Sequence, residues 1–270
     1  MNPVETGLLL GRIPYIKGGA GTRTAVVFFG ANALFQRLDR TRPRDYARMV
    51  ENVLPAGHAY YIFGYEADPP PGYTFDRIVD DFARIVRDVT GKAVVIGVSF
   101  GGFVAQRFAA EHPDLVDKLV LLVSAHRYSN EGLRKLERQE AYMLRGDLYG
   151  FLKDMALLFR RPWYNWMPRM ALWQGRHKLA ARLNDPRVML RTYESLFRDF
   201  ENASYARRIA ADTLIVGGTG DQFFDAAAFE ETAQLIPSSR LRLFHGETHM
   251  LPIERRADVR EAIARFLDAR

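Results

Sequence analysis

Cysteine is absent from the chain, which excludes a disulfide framework, thiolate catalysis and any cysteine-based metal site. A reducing compartment fits that composition. No apolar run approaches the roughly 20 residues that a membrane-spanning helix needs. The opening Met1-Asn-Pro-Val-Glu-Thr-Gly-Leu-Leu-Leu10 has neither a basic start nor an apolar core long enough for a secretory signal, so the cytoplasm is the expected location. Acidic charge is in deficit, 32 Asp and Glu against 38 Lys and Arg, for a net +6 and a pI near 9.6. The excess is mostly arginine scattered along the chain, which reads as a solvated basic surface, and no nucleic-acid-binding module accompanies it. No two histidines stand at metal-ligand spacing with a carboxylate, so neither a metal nor a cofactor is expected. Gly18-Gly-Ala-Gly21 lacks the lysine and hydroxyl residue of a phosphate-binding loop. What remains is a 270-residue chain with 48% hydrophobic and 26% charged residues, in the range of a globular protein with a substantial core.

The apolar pattern alternates between two periods. Leu8 to Leu10 and Pro14 to Ile16 suit two short opening strands, with Gly18 to Gly21 as the loop behind them. Ala25-Val-Val-Phe-Phe29 reads as a buried strand leaving through Gly30-Ala-Asn-Ala33, and Ala59-Tyr-Tyr-Ile-Phe63 as the next. Pro43 opens a helix toward Leu54, and Thr74 caps another that carries Phe75, Ile78, Val79, Phe82 and Val86 on one face. Ala93 to Ile96 and Lys118 to Val123 continue the strands. The β-α-β-α-β-α-β order implies a parallel sheet with helices on both faces, an α/β architecture. The alternation stops from Arg127 to Arg208 and resumes with strands at Thr213–Val216 and Leu241–Phe244, each followed by a helix, Ala226 to Ile236 and Ile253 to Leu267. The expected organisation is a core of residues 1–126 and 209–270 with a helical insertion, 127–208, over the sheet.

Gly97-Val-Ser99-Phe-Gly101 lies between the 93–96 strand and a helical pattern of Phe103, Val104 and Phe108 that Pro113 ends. Three fixed positions of this kind recur by chance in roughly one chain of this length in ten, so the placement matters more than the motif. Between strand and helix, G-x-S-x-G is a nucleophile elbow: a strained turn lifts the serine Oγ off the sheet, and a Cβ at the flanking glycines would meet neighbouring backbone. The helix behind it turns its N–H groups toward any negative charge that forms there. An alcohol needs a base within hydrogen-bond reach, and that base an orienting acid. Two strand exits offer them: Gly217-Gly-Thr-Gly-Asp221, with Asp225 beyond it, and His245-Gly-Glu-Thr-His249.

With these segments the chain resembles the α/β-hydrolase family over essentially its whole length, including the place of the insertion. The elbow Gly-Val-Ser-Phe-Gly-Gly, the Val-Gly-Gly-Thr-Gly-Asp exit and the Gly-Glu-Thr-His-Met turn each look like the family's segments, in its order Ser, Asp, His. The resemblance implies Ser99 as nucleophile, His249 as base and Asp221 as its orienting acid, with a cap over them. It implies an oxyanion hole from the Phe100 N–H and one N–H of the loop after the 25–29 strand, for which Ala31 is chosen. That loop departs from the family's usual His-Gly, beginning Phe29-Gly-Ala-Asn32, and Asn32 offers a side-chain amide as an alternative donor. His245 and Asp225 are the rivals for base and acid, the first sitting at the strand's end and the second where a helix needs its cap.

In the insertion, Trp163, Tyr164, Trp166, Met167, Met170 and Trp173 are dense enough for an apolar roof, or for packing the insertion on itself. Trp163, Trp166 and Met167 are named as substrate-binding candidates. Arg160, Arg161 and Arg169 are either partners for a substrate carboxylate or solvated charges. His126 reads as a pocket wall or as a structural loop histidine, and His58, His112 and His177 as surface or helix-end residues. Asn202-Ala-Ser204 matches a glycosylation acceptor without a secretory context. The expected activity is hydrolysis of carboxylic esters of small to medium apolar acyl groups by a monomer or homodimer. Thioester, lactone or carbon–carbon hydrolysis and acyl transfer use the same triad, and some hormone receptors resembling this family only bind ligands.

Overall fold

The computed structural model describes residues 4–36, 38, 42–66, 68–156, 159–160, 166, 170, 175, 183–197 and 201–269. Eight strands form one sheet: β1 (Glu5–Leu9), β2 (Ile13–Gly19), β3 (Gly21–Phe28), β4 (Gly57–Phe63), β5 (Ala93–Val98), β6 (Val116–Leu122), β7 (Thr213–Gly218) and β8 (Ser239–Phe244). Their order is β1-β2-β4-β3-β5-β6-β7-β8. The first two enter antiparallel, β1 to β2 and β2 to β4, and every other pair is parallel. The central strands β5, β6 and β7 are the continuous apolar runs of the sequence, and they are buried almost throughout because helices cover both faces of a parallel sheet. On one side Pro43–Val53 packs against Arg256–Asp268. Phe75–Val89 packs against Phe100–Glu111 on the other, and Ala226–Leu235 lies against β7 and β8. Thr74 caps the Phe75–Val89 helix, accepting the Arg77 N–H at 3.4 Å. Among the described residues no helix is long and apolar enough to cross a membrane.

Two local expectations change. Gly18 to Gly21 is not a loop: β2 runs to Gly19, β3 begins at Gly21, and Ala20 alone joins them. These glycines serve close packing, since a Cβ at Gly18 would overlap the Tyr60 ring and one at Gly21 the Gly57 carbonyl. His58 is not a surface residue. It is buried in β4, with Nδ1 3.1 Å from the Pro55 carbonyl oxygen. His112 does sit at a helix end.

Between β6 and β7 the described residues form the helices Asn130–Leu144, Leu148–Ala156, Pro186–Phe197 and Ala203–Ala206. Ser129 caps the first by accepting the Gly132 N–H at 3.0 Å. A Lys135–Asp154 ion pair of 3.0 Å, both side chains mostly buried, ties the first two helices together. Asn202 is also buried, with its amide donating to the Phe103 carbonyl and accepting from Arg107 Nε. That leaves no room for a glycan.

The exits of β3, β5 and β6 meet at one point. Gly101 and Gly102 open the helix after β5, where a Cβ on Gly101 would overlap the Phe28 carbonyl and one on Gly102 the Ser124 side chain. His126, past the end of β6, is buried, and Thr232 Oγ1 accepts both its backbone N–H, at 2.9 Å, and its Nδ1–H, at 3.0 Å. It is a structural tie to the Ala226–Leu235 helix and is not among the residues that line the cavity over Ser99. Burial holds its imidazole below the ordinary value of 6.5, against the opposing pull of Glu201 and Glu231 and with Arg127 reinforcing it.

Two outcomes follow. Gly101→Ala forces backbone apart and is expected to cost about 3 kcal/mol or more, lowering Tm by about 6–12 °C in thermal unfolding; an unchanged Tm refutes the packing argument. For His126 the folded state takes up its proton at lower pH than the unfolded state. Its contribution is therefore lost as pH falls from about 6.5 toward the lowered folded value. Denaturant midpoints measured across that window should fall less steeply for His126→Gln than for the wild type.

Candidate active site

Ser99 stands between β5 and the Phe100–Glu111 helix with φ 52° and ψ −121°, a conformation that costs a residue with a Cβ about 1–3 kcal/mol. The surroundings impose it. Its N–H donates to Leu122 O in β6 at 3.0 Å, and its carbonyl accepts from Gly102 N at 2.9 Å. At Gly97 a Cβ would come within 2.5 Å of Gly102 Cα. The helix thus starts at Phe100, directly on the strand end, which turns the Ser99 side chain away from the sheet.

His249 and Asp221 arrive from the exits of β8 and β7. His249 Nε2 lies 2.9 Å from Ser99 Oγ, and its Nδ1 lies 2.8 Å from Asp221 Oδ2. The other carboxylate oxygen, Oδ1, accepts the N–H groups of Phe223 at 2.8 Å and Phe224 at 3.2 Å, so the acid cannot rotate away. Phe223 presents its ring edge-on to the imidazole at 4.9 Å, and the His249 N–H donates to Gln222 Oε1. The acceptor at Nδ1 makes that nitrogen the proton carrier and leaves Nε2 to accept the serine proton. The rivals do not join this relay. His245 is exposed at the end of β8, and Asp225 caps the Ala226–Leu235 helix by accepting the Ala228 N–H at 2.8 Å.

The β3 exit runs beside the serine: a Cβ on Gly30 would lie 3.4 Å from Ser99 Cβ. Ala31 precedes a one-turn helix, Asn32–Phe35, where a plain loop was expected. Its N–H has no hydrogen-bond partner among the described residues, and Ala31 and Asn32 line the same cavity as Ser99. Phe100 places its N–H at the first turn of the helix after Ser99, with its ring buried against Tyr65, Phe75 and Phe197. Tyr65 is a residue the sequence reading missed: its buried hydroxyl donates to Phe29 O at 2.7 Å and anchors the strand exit that carries Gly30 and Ala31. Val123, expected only as the end of a buried strand, lies just past β6 at φ 46°, a β-branched residue on the cavity wall held by its N–H to Val216 O.

A cavity of about 370 Å³ opens over Ser99 and His249. Phe29, Val98 and Val123 line it from the sheet side, Leu136, Met155, Tyr193 and Phe197 from the helices after β6, Phe159 from beyond the second of those helices, and Met250, Pro252 and Ile253 from the segment after β8. Of the expected roof, Trp163 and Met167 lie outside the described residues, as do Tyr164, Trp173, Arg161, Arg169 and His177. Trp166 is a correction: it is 63% exposed and is not among the residues that line the cavity. Met170 is exposed as well. A dense aromatic stretch says nothing about which way its side chains point; among the described residues the wall includes Leu136 with Gln139 and Tyr193 with Phe197, pairs at helical spacing whose orientation the fold decides. Arg160 is engaged by protein: its guanidinium donates to Glu247 at 2.8 Å and its N–H to Glu254 at 3.1 Å.

Comparison with known proteins places the fold in a family. Residues 61–255 match the family model described as the alpha/beta hydrolase fold. A proline iminopeptidase, PfmaB, of Pestalotiopsis fici is 25% identical over 224 residues, covering 74% of this chain and 79% of that protein. The polyketide synthase ThaQ of Burkholderia thailandensis is 25% identical over 268 residues, 95% of this chain but 12% of the length of that protein. Among solved structures, MGS-M2, an alpha/beta hydrolase enzyme from a Medee basin deep-sea metagenome library, superposes with a TM-score of 0.79 at 14% identity over 98% of each chain. The elbow, the mostly parallel sheet and a family match over most of its length make this chain a member of the alpha/beta hydrolase fold family.

Proposed function

We propose that the protein is a cofactor-independent serine hydrolase that cleaves carboxylic esters of small to medium, largely apolar acyl groups. The observation that carries this reading is the continuous contact from Ser99 Oγ through the His249 ring to Asp221, opening on an apolar cavity. Ser99 attacks the ester carbonyl while His249 Nε2 takes its proton. Asp221 holds the ring in the required tautomer and stabilises the imidazolium that forms. The oxyanion is met by the N–H of Phe100 and of Ala31, with the Asn32 amide beside them. His249 then gives its proton to the departing alcohol, and water repeats the sequence to release the acid. A cavity of about 370 Å³ is at the small end of ligand sites, which suits a small to medium acyl group. The helices of 127–208 act as a cap on the core of 1–126 and 209–270, limiting the access of bulk water to the cavity and strengthening the polar contacts within it.

The expected outcome is turnover of short-chain p-nitrophenyl esters and labelling of Ser99 by a fluorophosphonate. Ser99→Ala should lower kcat by about 10⁴-fold or more and abolish the label, and Asp221→Asn should lower kcat by about 10⁴-fold while the protein stays folded by circular dichroism. Full activity in Ser99→Ala would end the proposal. Matched thioester, lactone and alcohol-acceptor arms in the same panel decide the leaving group, because the acyl-enzyme is common to them all.

A further inference from the structure

One polar group on the wall of the cavity has no part in the relay. Gln139 lies on the Asn130–Leu144 helix three residues beyond Leu136, is only 4% exposed, and lines the cavity. Its Nε2 donates to Asp154 Oδ2 at 3.0 Å. Asp154 is itself ion-paired with Lys135 at 3.0 Å and with Arg138 at 3.7 Å. A carboxylate in such pairs only accepts hydrogen bonds, so it dictates which end of the amide turns toward it. The nitrogen is committed to Asp154, and the oxygen is the end left for the cavity. Among the described residues Gln139 Oε1 accepts no hydrogen bond, and it is not sealed from open space. The hydroxyl of Tyr193, also on the wall, donates its proton to Leu136 O at 2.5 Å.

We propose that Gln139 Oε1 is a specificity-determining acceptor, and that the substrates are esters whose buried portion carries a hydroxyl or N–H donor, in preference to plain alkyl esters. The inference rests on the ester-hydrolase reading and narrows its substrate class. A bare alkyl chain filling the cavity displaces water from Oε1 and leaves a buried acceptor unpaired. A chain with a donor at that point replaces the lost hydrogen bond, and sites built to pair with a substrate hydroxyl discriminate strongly against the analogue that lacks it.

The test is a set of matched p-nitrophenyl esters, each plain acyl chain paired with one of equal length bearing a hydroxyl, the hydroxyl moved along the chain. In a second arm the hydroxyl sits on the alcohol of a fixed acyl group. The readout is the ratio of kcat/KM within each pair, in which any misfolded fraction cancels. At least one hydroxylated ester should exceed its plain partner by about 10- to 100-fold. Gln139→Met, similar in length but without the acceptor, should bring that ratio to about one; should it fail to fold, the wild-type ratio alone decides. Equal rates for every pair in both arms, or a preference that survives Gln139→Met, overturns the assignment. Turnover without preference refutes the role of Gln139 alone, whereas no turnover of any ester overturns the hydrolase reading and the substrate class together.

Discussion

The helix that follows Ser99 begins in direct contact with the backbone of β3 and the side chain of Ser124 after β6. That contact exists only because residues 101 and 102 have no side chain. It forces the chain to turn from strand to helix over the single residue Ser99, which is thereby placed at φ 52°. The strain is offset by neighbouring hydrogen bonds to Leu122 and Gly102 and by an aromatic cluster around the Phe100 ring. The serine is thereby held clear of the sheet, and the Phe100 N–H stays at the helix start where dipole and donor act together.

The second constraint is the depth at which the imidazole is anchored. Its loop is pinned by Gly220 N, which donates to Glu247 O at 2.8 Å, and by the packing of Gly218 against the Glu247 backbone. The Glu247 carboxylate, 2% exposed, is held by Arg255 from the C-terminal region and by Arg160 from the segment between β6 and β7. A buried carboxylate adds little net stability, but removing either partner is costly, so such pairs act mainly to define geometry. In this chain the pair links the loop of His249 to the segment that supplies part of the cavity wall.

Much of the core was legible in the residues. Continuous apolar runs at 93–96, 119–122 and 214–216 are buried parallel strands because both faces of the sheet are covered, and Thr74, Pro43 and Asp225 sit at the helix starts their chemistry suits. The failures have physical reasons. Gly18 to Gly21 looked like a loop because glycine frees the backbone, yet here it admits close strand packing. His58 looked exposed because histidine is polar, yet one carbonyl partner lets it enter β4. Trp166 looked like a pocket wall because it is large and apolar, and it faces out.

By itself the sequence determined the class of the sheet and the elbow at Ser99, because these depend on local periodicity and on residues that tolerate a particular backbone; the order Ser, Asp, His was implied by the resemblance to the α/β-hydrolase family. Only the tertiary structure decided that His249 and Asp221, rather than their neighbours, reach the serine, and which side chains wall the cavity. Those outcomes depend on where β7 and β8 lie beside β5 and β6, on the orientation of each helix, and on distances of a few ångströms between residues more than a hundred positions apart in the chain.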